Sequence, residues 1–496
     1  MRKISVYIIL SVLILASCGR GVQNPVSGSD AAIFPDYRNI TVPVNIAPAN
    51  FMILDTAGKY ITLLESGDVK VKVTGKKVVI PIRKWRKLTS QGNITVNIFE
   101  KKGKGWIRMN SFGINVADEI DPYLTYRVIP PLFESYQRLT INQRDITTFS
   151  EKVVYANSMV SHGTQTQCIN CHSFKNWHTD NMQFHIRQYL GGTIMYTNGK
   201  LEKLNMKTDS TISAAVYPSW HPTHDYIAYS TNMTFQNIHT NHTNRIEVFD
   251  DESDLILYNL SDKAVSIIEN DSTQFECYPS WAPDGKTLFY VSAYTGNPSD
   301  FKKAGGAAAA NANATFKYSL YSKRFNPENR TWSPKQMFYD AAAVDSSVTW
   351  PRVSPDGRWL LCCISTHGVF PPNQEVSDLI MFDLEKGTRR YVDEINSNKS
   401  ESYHSWASNG KWVVISSRRE DGVHTRLYLS HLNEDGTFTK PFLLPQKDPE
   451  FSHKFMYSFN IPEFTVEPVK VSARMLASFI KSTDAKQVNY ESKREE

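Results

Sequence analysis

At 496 residues the chain is long enough for a large core and for two or three domains. It is 41% hydrophobic and 12% aromatic, the balance of a folded, strand-rich globular protein. A net charge of +5 is small for this length and no Lys/Arg run makes a continuous basic stripe, so no nucleic-acid partner is expected. The one short basic cluster, "RKWRK" (83–87), reads as the solvated edge of a strand.

The N-terminus begins "MRKISVYIILSVLILASCGRG". Arg2 and Lys3 form a charged start, Ile4 to Leu15 a short apolar core, and "LASC" closes it, which suits a signal peptide better than a membrane span. Leu15-Ala16-Ser17-Cys18 resembles the bacterial lipoprotein lipobox. That resemblance implies that residues 1–18 are the leader, that Cys18 is lipidated, and that acyl chains tie the mature chain to a membrane. Residues 19–29 lack apolar periodicity and read as a tether. They carry no acidic cluster of the surface-export kind, so the expected location is the cell envelope, at the periplasmic face of the outer membrane.

Residues 30–117 alternate in the strand manner ("DVKVKV", "KKVVIPI", "NITVNIF") and predict a small β-sandwich-like domain of immunoglobulin size. Residues 118–160 lose the alternation and read as a packed connector with short helical or irregular pieces. From about residue 215 a repeat sets in. "YPSWHPTHDYIAYSTN" (217–232) matches "YPSWAPDGKTLFYVSA" (278–293), "TWPRVSPDGRWLLCCIS" (349–365) and "YHSWASNGKWVVISSR" (403–418). Each copy is a strand ending in Ser-Trp, a Pro-Asp-Gly type reversal and an apolar strand, with a further strand pair behind it. These copies resemble TolB-type propeller repeats. The resemblance implies an all-β chain in which the N-terminal domain is followed, over 161–470, by a five- or six-bladed TolB-like β-propeller. A low-complexity stretch, "KKAGGAAAANANATFK" (302–317), is expected as a loop within one blade, and 471–496 as a C-terminal helix and charged tail.

"QCINCHSF" (167–174) carries the chemistry. Cys168 and Cys171 at C-x-x-C-H spacing can form two thioethers to haem vinyl groups, with His172 ligating the iron from below. A thioredoxin-like site would need a βαβ context that is absent; a structural disulfide or a zinc half-site is the alternative, though no second C-x-x-C or spaced His pair accompanies the motif. The motif resembles the attachment pentapeptide of c-type cytochromes and implies one covalent haem c. "CHSF" also aligns with "YPSW", "HTDN" with the turn and "MQFHIR" with the second strand, which places the motif at the entry to one blade, near the propeller axis or its mouth.

His185 is the favoured distal iron ligand and Met182 the alternative, with His162, His178 and Met195 also close in sequence. Arg187 is the nearest cation for a haem propionate, with Arg127 and Arg144 upstream. Cys277, Cys362 and Cys363 read as small buried hydrophobes, and "HTNHTNR" (239–245) is a weak metal signal. Together these features predict a lipid-anchored electron-transfer protein with a redox or envelope partner, more a carrier or binding protein than an enzyme. The competing expectations are a non-redox binding propeller and a haem-dependent peroxidase or oxidoreductase.

Overall fold

The computed structural model describes residues 28–55, 58–130, 138–238, 246–296 and 315–492. Cys18, the leader, most of the tether, the 239–245 histidine segment and most of the 302–317 stretch lie outside them. Among the described residues no helix is long and apolar enough to cross a membrane.

Residues 30–117 build two sheets and a helix. The larger sheet runs Ile40–Pro43, Phe112–Ala117, Ile94–Lys102, Tyr60–Ser66, Val69–Thr74, with Gly105–Arg108 paired to Ile94–Lys102. The smaller joins Ile33–Phe34, Phe51–Ile53 and Lys77–Val78. Tyr60–Ser66 alternates buried and half-buried residues along its length, as the period of two in its sequence demands. "RKWRK" is not a strand edge but part of a helix, Ile82–Thr89. Trp85 and Leu88 lie three apart and are both fully buried, and Trp85 Nε1 donates to the Ile46 carbonyl at 2.9 Å. The helical period of the apolar residues, not the charge between them, decides the element.

The rest of the described chain is organised as six sheets. The first combines the C-terminal strand Ser458–Thr465 with Tyr123–Ile129, Thr140–Asp145 and Glu151–Ala156. The expected connector at 118–160 is therefore sheet, and the sheet array begins ahead of residue 161. The innermost strands of the next five are Gln167–Lys175, Ala215–Trp220, Gln274–Trp281, Ser347–Val353 and Glu401–Trp406, each followed outward by antiparallel strands in chain order. Each innermost strand packs against the next, and Ser458–Thr465 packs against both Glu401–Trp406 and Gln167–Lys175, so the cycle closes. This all-β, propeller-like array is sealed by its last strand and continues into the N-terminal sheets through one apolar core that includes Trp85, Phe51, Trp412 and Phe459.

A helix, Ala473–Ser482, follows the closing strand. Ser472 caps it by accepting from the Met475 N–H at 3.2 Å, and Leu476, Ala477 and Ile480 are buried. Beyond it the tail is docked. Lys486–Gln487 and Asn489–Tyr490 pair in parallel with the outer strands Lys200–Asn205 and Ala264–Glu269.

Candidate functional site

The repeat puts one backbone device in five of the six innermost strands. Cys171, Tyr217, Tyr278, Trp350 and Ile461 all have positive φ, between 50° and 55°. At each the ladder slips, with two residues opposite one on the neighbouring strand. Non-glycine residues visit this region at a cost, and here five chain segments share it because the bulge turns each strand toward the axis. The next residue is proline in four of the five strands (Pro218, Pro279, Pro351, Pro462) and His172 in the fifth. In Glu401–Trp406 the slip falls one residue earlier, and His404 stands at the proline position.

"CHSF" does align with "YPSW" in space, and its strand lies on the axis. The reversal, however, is made by Asn176 and Trp177, both with positive φ, and "HTDN" already belongs to the second strand, His178–Gln188.

These columns stack as layers along the axis. Three of the positive-φ residues, Tyr217, Tyr278 and Trp350, form an aromatic plug together with Tyr403. Tyr217 and Tyr278 have ring centroids 4.6 Å apart, Tyr278 and Trp350 4.1 Å, and Trp350 and Tyr403 4.1 Å. The imidazole of His172 borders a cavity of about 30 Å³ against this plug, with Tyr217, Tyr278, Trp350 and Ile461 also lining it. Among the described residues neither ring nitrogen makes a hydrogen bond of full geometry, although the backbone of Thr125 and Ile461 lies close enough to the ring to favour its proton. Burial, with Arg127 nearby, holds the imidazole down at about 3, so it is neutral at any physiological pH.

The next column is Ser173, Ser219, Ser280, Arg352, Ser405 and Glu463, and the next Phe174, Trp220, Trp281, Val353, Trp406 and Phe464. They line a funnel of about 170 Å³ that opens between the turns bearing Asn176, Pro222, Pro283 and Pro355. Ser173, Pro218 and Arg352 border both cavities, so the plug closes the funnel's floor. Arg352 donates to Glu463 at 3.0 Å, and Ser405 donates to the other carboxylate oxygen at 3.3 Å. Burial pushes the Glu463 carboxyl up, opposed by Arg352 and Ser405. Arg352 and Glu463 break the serine column within the repeat itself ("WPRV", "IPEF"), a signal that is present in the sequence but lies outside the C-x-x-C-H motif and its neighbours.

The motif residues take separate places. Cys171 is buried and its Sγ accepts from the Tyr217 N–H of the following sheet at 3.5 Å; burial raises its thiol. Cys168 is half-buried, opposite Arg187 in the ladder. His172 turns toward the preceding sheet, where Thr125 and Ile461 lie. His185 is buried in the second strand, opposite Asn170, with Nδ1 3.2 Å from Thr193 Oγ1, and Met182 packs into a cluster with Tyr155, Phe184 and Ile194. Both occupy the strand outside the innermost one, and neither is brought over His172. Arg127 is a structural cross-link: it donates to Asn460 Oδ1 at 3.1 Å, to the Ile169 carbonyl at 3.0 Å and to Asn170. Arg144 is committed to Gln446 and Pro445.

The chemistry of C-x-x-C-H fits haem c, but this arrangement does not. Thiol and imidazole diverge to neighbouring sheets, and a cavity of about 30 Å³ holds a water or two and not a porphyrin. Among the described residues no group of three or more His, Cys, Asp or Glu is placed to hold a metal ion.

No family model and no curated protein matches the chain. Solved structures with a similar arrangement include a putative 6-phosphogluconolactonase from Bacteroides fragilis (12% identity, 68% of this chain and 98% of that one, TM-score 0.30). Another is the periplasmic gluconolactonase of Pseudomonas aeruginosa (10%, 68% and 99%, 0.30). A third is a prolyl endopeptidase (9%, 65% and 42%, 0.34). At these identities and scores the likeness concerns sheet architecture alone, and the chain is described by its own geometry.

Proposed function

We propose that the chain is an exported, lipid-anchored binding protein. In this reading its six sheets are the blades of a six-bladed propeller behind a sandwich-like domain, and the funnel on the turn face takes the end of a small polar ligand. The observation that carries it is a blind, tryptophan-walled funnel whose floor sets Arg352 beside Glu463 where the repeat elsewhere has serine. Rigid aromatic walls with a few converging polar groups are the usual make-up of a ligand site. Prolines at the rim and bulged strands at the floor hold it in shape before anything binds.

Two measurements test this. Labelling with radioactive palmitate should be lost in Cys18→Ser; retention overturns the anchor. A thermal-shift screen of small polar metabolites should give hits that vanish when Ser280→Phe fills the funnel floor. Hits that survive that substitution, or a screen with none, overturn the funnel.

A second reading is favoured by one observation, the buried His172 with no partner on either nitrogen. A covalent haem c on Cys168 and Cys171, with His172 on iron, would supply one-electron chemistry and make the chain an envelope electron carrier. Arg187 would then be the nearest propionate partner, and His185 or Met182 the sixth ligand. This reading requires the strand Gln167–Lys175 to leave its present register. Pyridine haemochrome analysis of chain matured in a haem-attaching host, with Cys168→Ala as control, decides it. Colourless protein with both sulfurs free removes this reading and leaves the first intact.

A further inference from the structure

Resting on the funnel as a binding site, we propose that its occupant is the terminal hexopyranose unit of a neutral glycan. The shape restricts the candidates first. The funnel opens on the turn face only, and Tyr217, Tyr278 and Trp350 close the other end, so an occupant enters by its tip and no polymer threads through. About 170 Å³ accommodates one compact ring and little else.

The walls come next. Trp177, Trp220, Trp281 and Trp406 line the funnel, Trp177 half-buried and the other three buried, and three of them are held by indole N–H bonds. Trp177 donates to the Trp406 carbonyl at 2.8 Å, Trp220 to Ser173 Oγ at 3.0 Å, and Trp406 to the Arg352 carbonyl at 3.1 Å. A fixed aromatic lining suits a ligand with an apolar flat side, which a pyranose offers through its axial C–H bonds.

The floor chooses the charge. Arg352 and Glu463 are both at hand, so a free anion meets the carboxylate and a free cation meets the guanidinium. Arg352 spends one N–H on Glu463, and its other donors have no protein partner among the described residues. Ser280 Oγ makes no hydrogen bond among the described residues, and Ser219 Oγ, which accepts from the Trp281 backbone N–H at 3.0 Å, keeps its own proton to give. Donors and acceptors therefore alternate around the floor. Neighbouring hydroxyls of one sugar ring, each able to donate and accept, answer that alternation. An apolar side chain would leave these groups unpaired, at a cost for each.

The test uses the full purified chain, with intrinsic fluorescence and calorimetry as readouts; four of its ten tryptophans line the funnel, so occupancy is visible. The probes are the methyl glycosides of glucose, galactose and mannose, N-acetylglucosamine, glucuronate, glucosamine and a proline-rich peptide. At least one neutral sugar should bind, and at least about 10-fold more tightly than glucuronate or glucosamine. Glu463→Gln should weaken it by about 10-fold or more, and Ala282→Trp, at the funnel wall, should abolish it with the fold intact by circular dichroism. Binding of a charged sugar in preference, or neutral-sugar binding that survives Ala282→Trp, overturns the proposal. Quenching by the peptide alone removes the sugar and keeps the funnel as a site. Silence from every probe at about 50 mM, beyond the weak end of specific binding, removes both.

Discussion

Replacing His172 by proline separates what the fold needs from what the site holds. Four equivalent strands already carry proline there, after a residue with the same positive φ, so the backbone accepts the change. At pH 8 three terms compete. Removing a buried imidazole with no partner relieves on the order of 1–3 kcal/mol of desolvation. Proline at a compatible position adds about 0.4–1 kcal/mol through the unfolded chain, and the smaller ring leaves a void worth on the order of 1 kcal/mol. The expected result is a variant equal to the parent or more stable by about 1 kcal/mol.

The pH dependence sharpens the test. His172 has a folded value of about 3, below its unfolded 6.5, so the unfolded chain binds the proton first as pH falls. Stability is whole above 6.5 and drains away between 6.5 and about 3; at pH 5 the loss is about 2 kcal/mol from this residue. His172→Pro removes that loss, while His185, His221 and His404, all depressed by burial, keep theirs. Urea unfolding at pH 8 and pH 5 measures both quantities. Destabilisation beyond about 1 kcal/mol at pH 8, or an unchanged pH 8 to 5 difference, would refute the account of His172 as a residue the fold merely tolerates.

Three further outcomes follow from the same coordinates. Arg127→Met removes charged bonds that join Asn460, Ile169 and Asn170 across the closing seam, and should cost about 3–5 kcal/mol in urea melts; a loss under about 1 kcal/mol contradicts its role. Glu276 is fully buried with neither oxygen bonded, and burial, with Asp254 nearby, lifts its carboxyl to about 9. Its folded value lies above the unfolded 4.5, so stability is lost as pH rises from 4.5 to 9. Glu276→Gln should therefore be more stable at pH 8 by on the order of 5 kcal/mol and indistinguishable at pH 4, which paired melts check. Gly285 has φ of +63°, and a Cβ there would meet His221 Cε1 at 2.8 Å, so Gly285→Ala should lower stability by about 1–3 kcal/mol; a neutral result means the adjoining turn yields freely.

The repeat was legible because its turn chemistry is local: Ser-Trp, Pro-Asp-Gly and an apolar run need no knowledge of the remainder. The register of "CHSF" on "YPSW" followed from the same local spacing. Residues 118–160 were not legible, since their innermost partner is Ser458–Thr465, more than 300 positions later, and no pattern within the segment announces it. The helix around Trp85 is hidden in the sequence for a different reason: four cations mask the three-residue spacing of Ile82, Trp85 and Leu88. At the site, spacing alone could bring Cys168, Cys171 and His172 together on one strand. It could not show that a bulge sends thiol and imidazole to different neighbours. Arg352 and Glu463 meet only when the ring closes, although each was visible as a departure from the serine column.

That the last strand completes the first sheet also governs when this protein can exist. The ribosome delivers Tyr123–Ile129 long before Ser458–Thr465, so the seam stays unfastened until almost the whole polypeptide has emerged. A chain cut short before residue 458 would be left an open, sticky arc. Quality control in the compartment where it folds therefore has one simple feature to inspect, the presence or absence of that final latch.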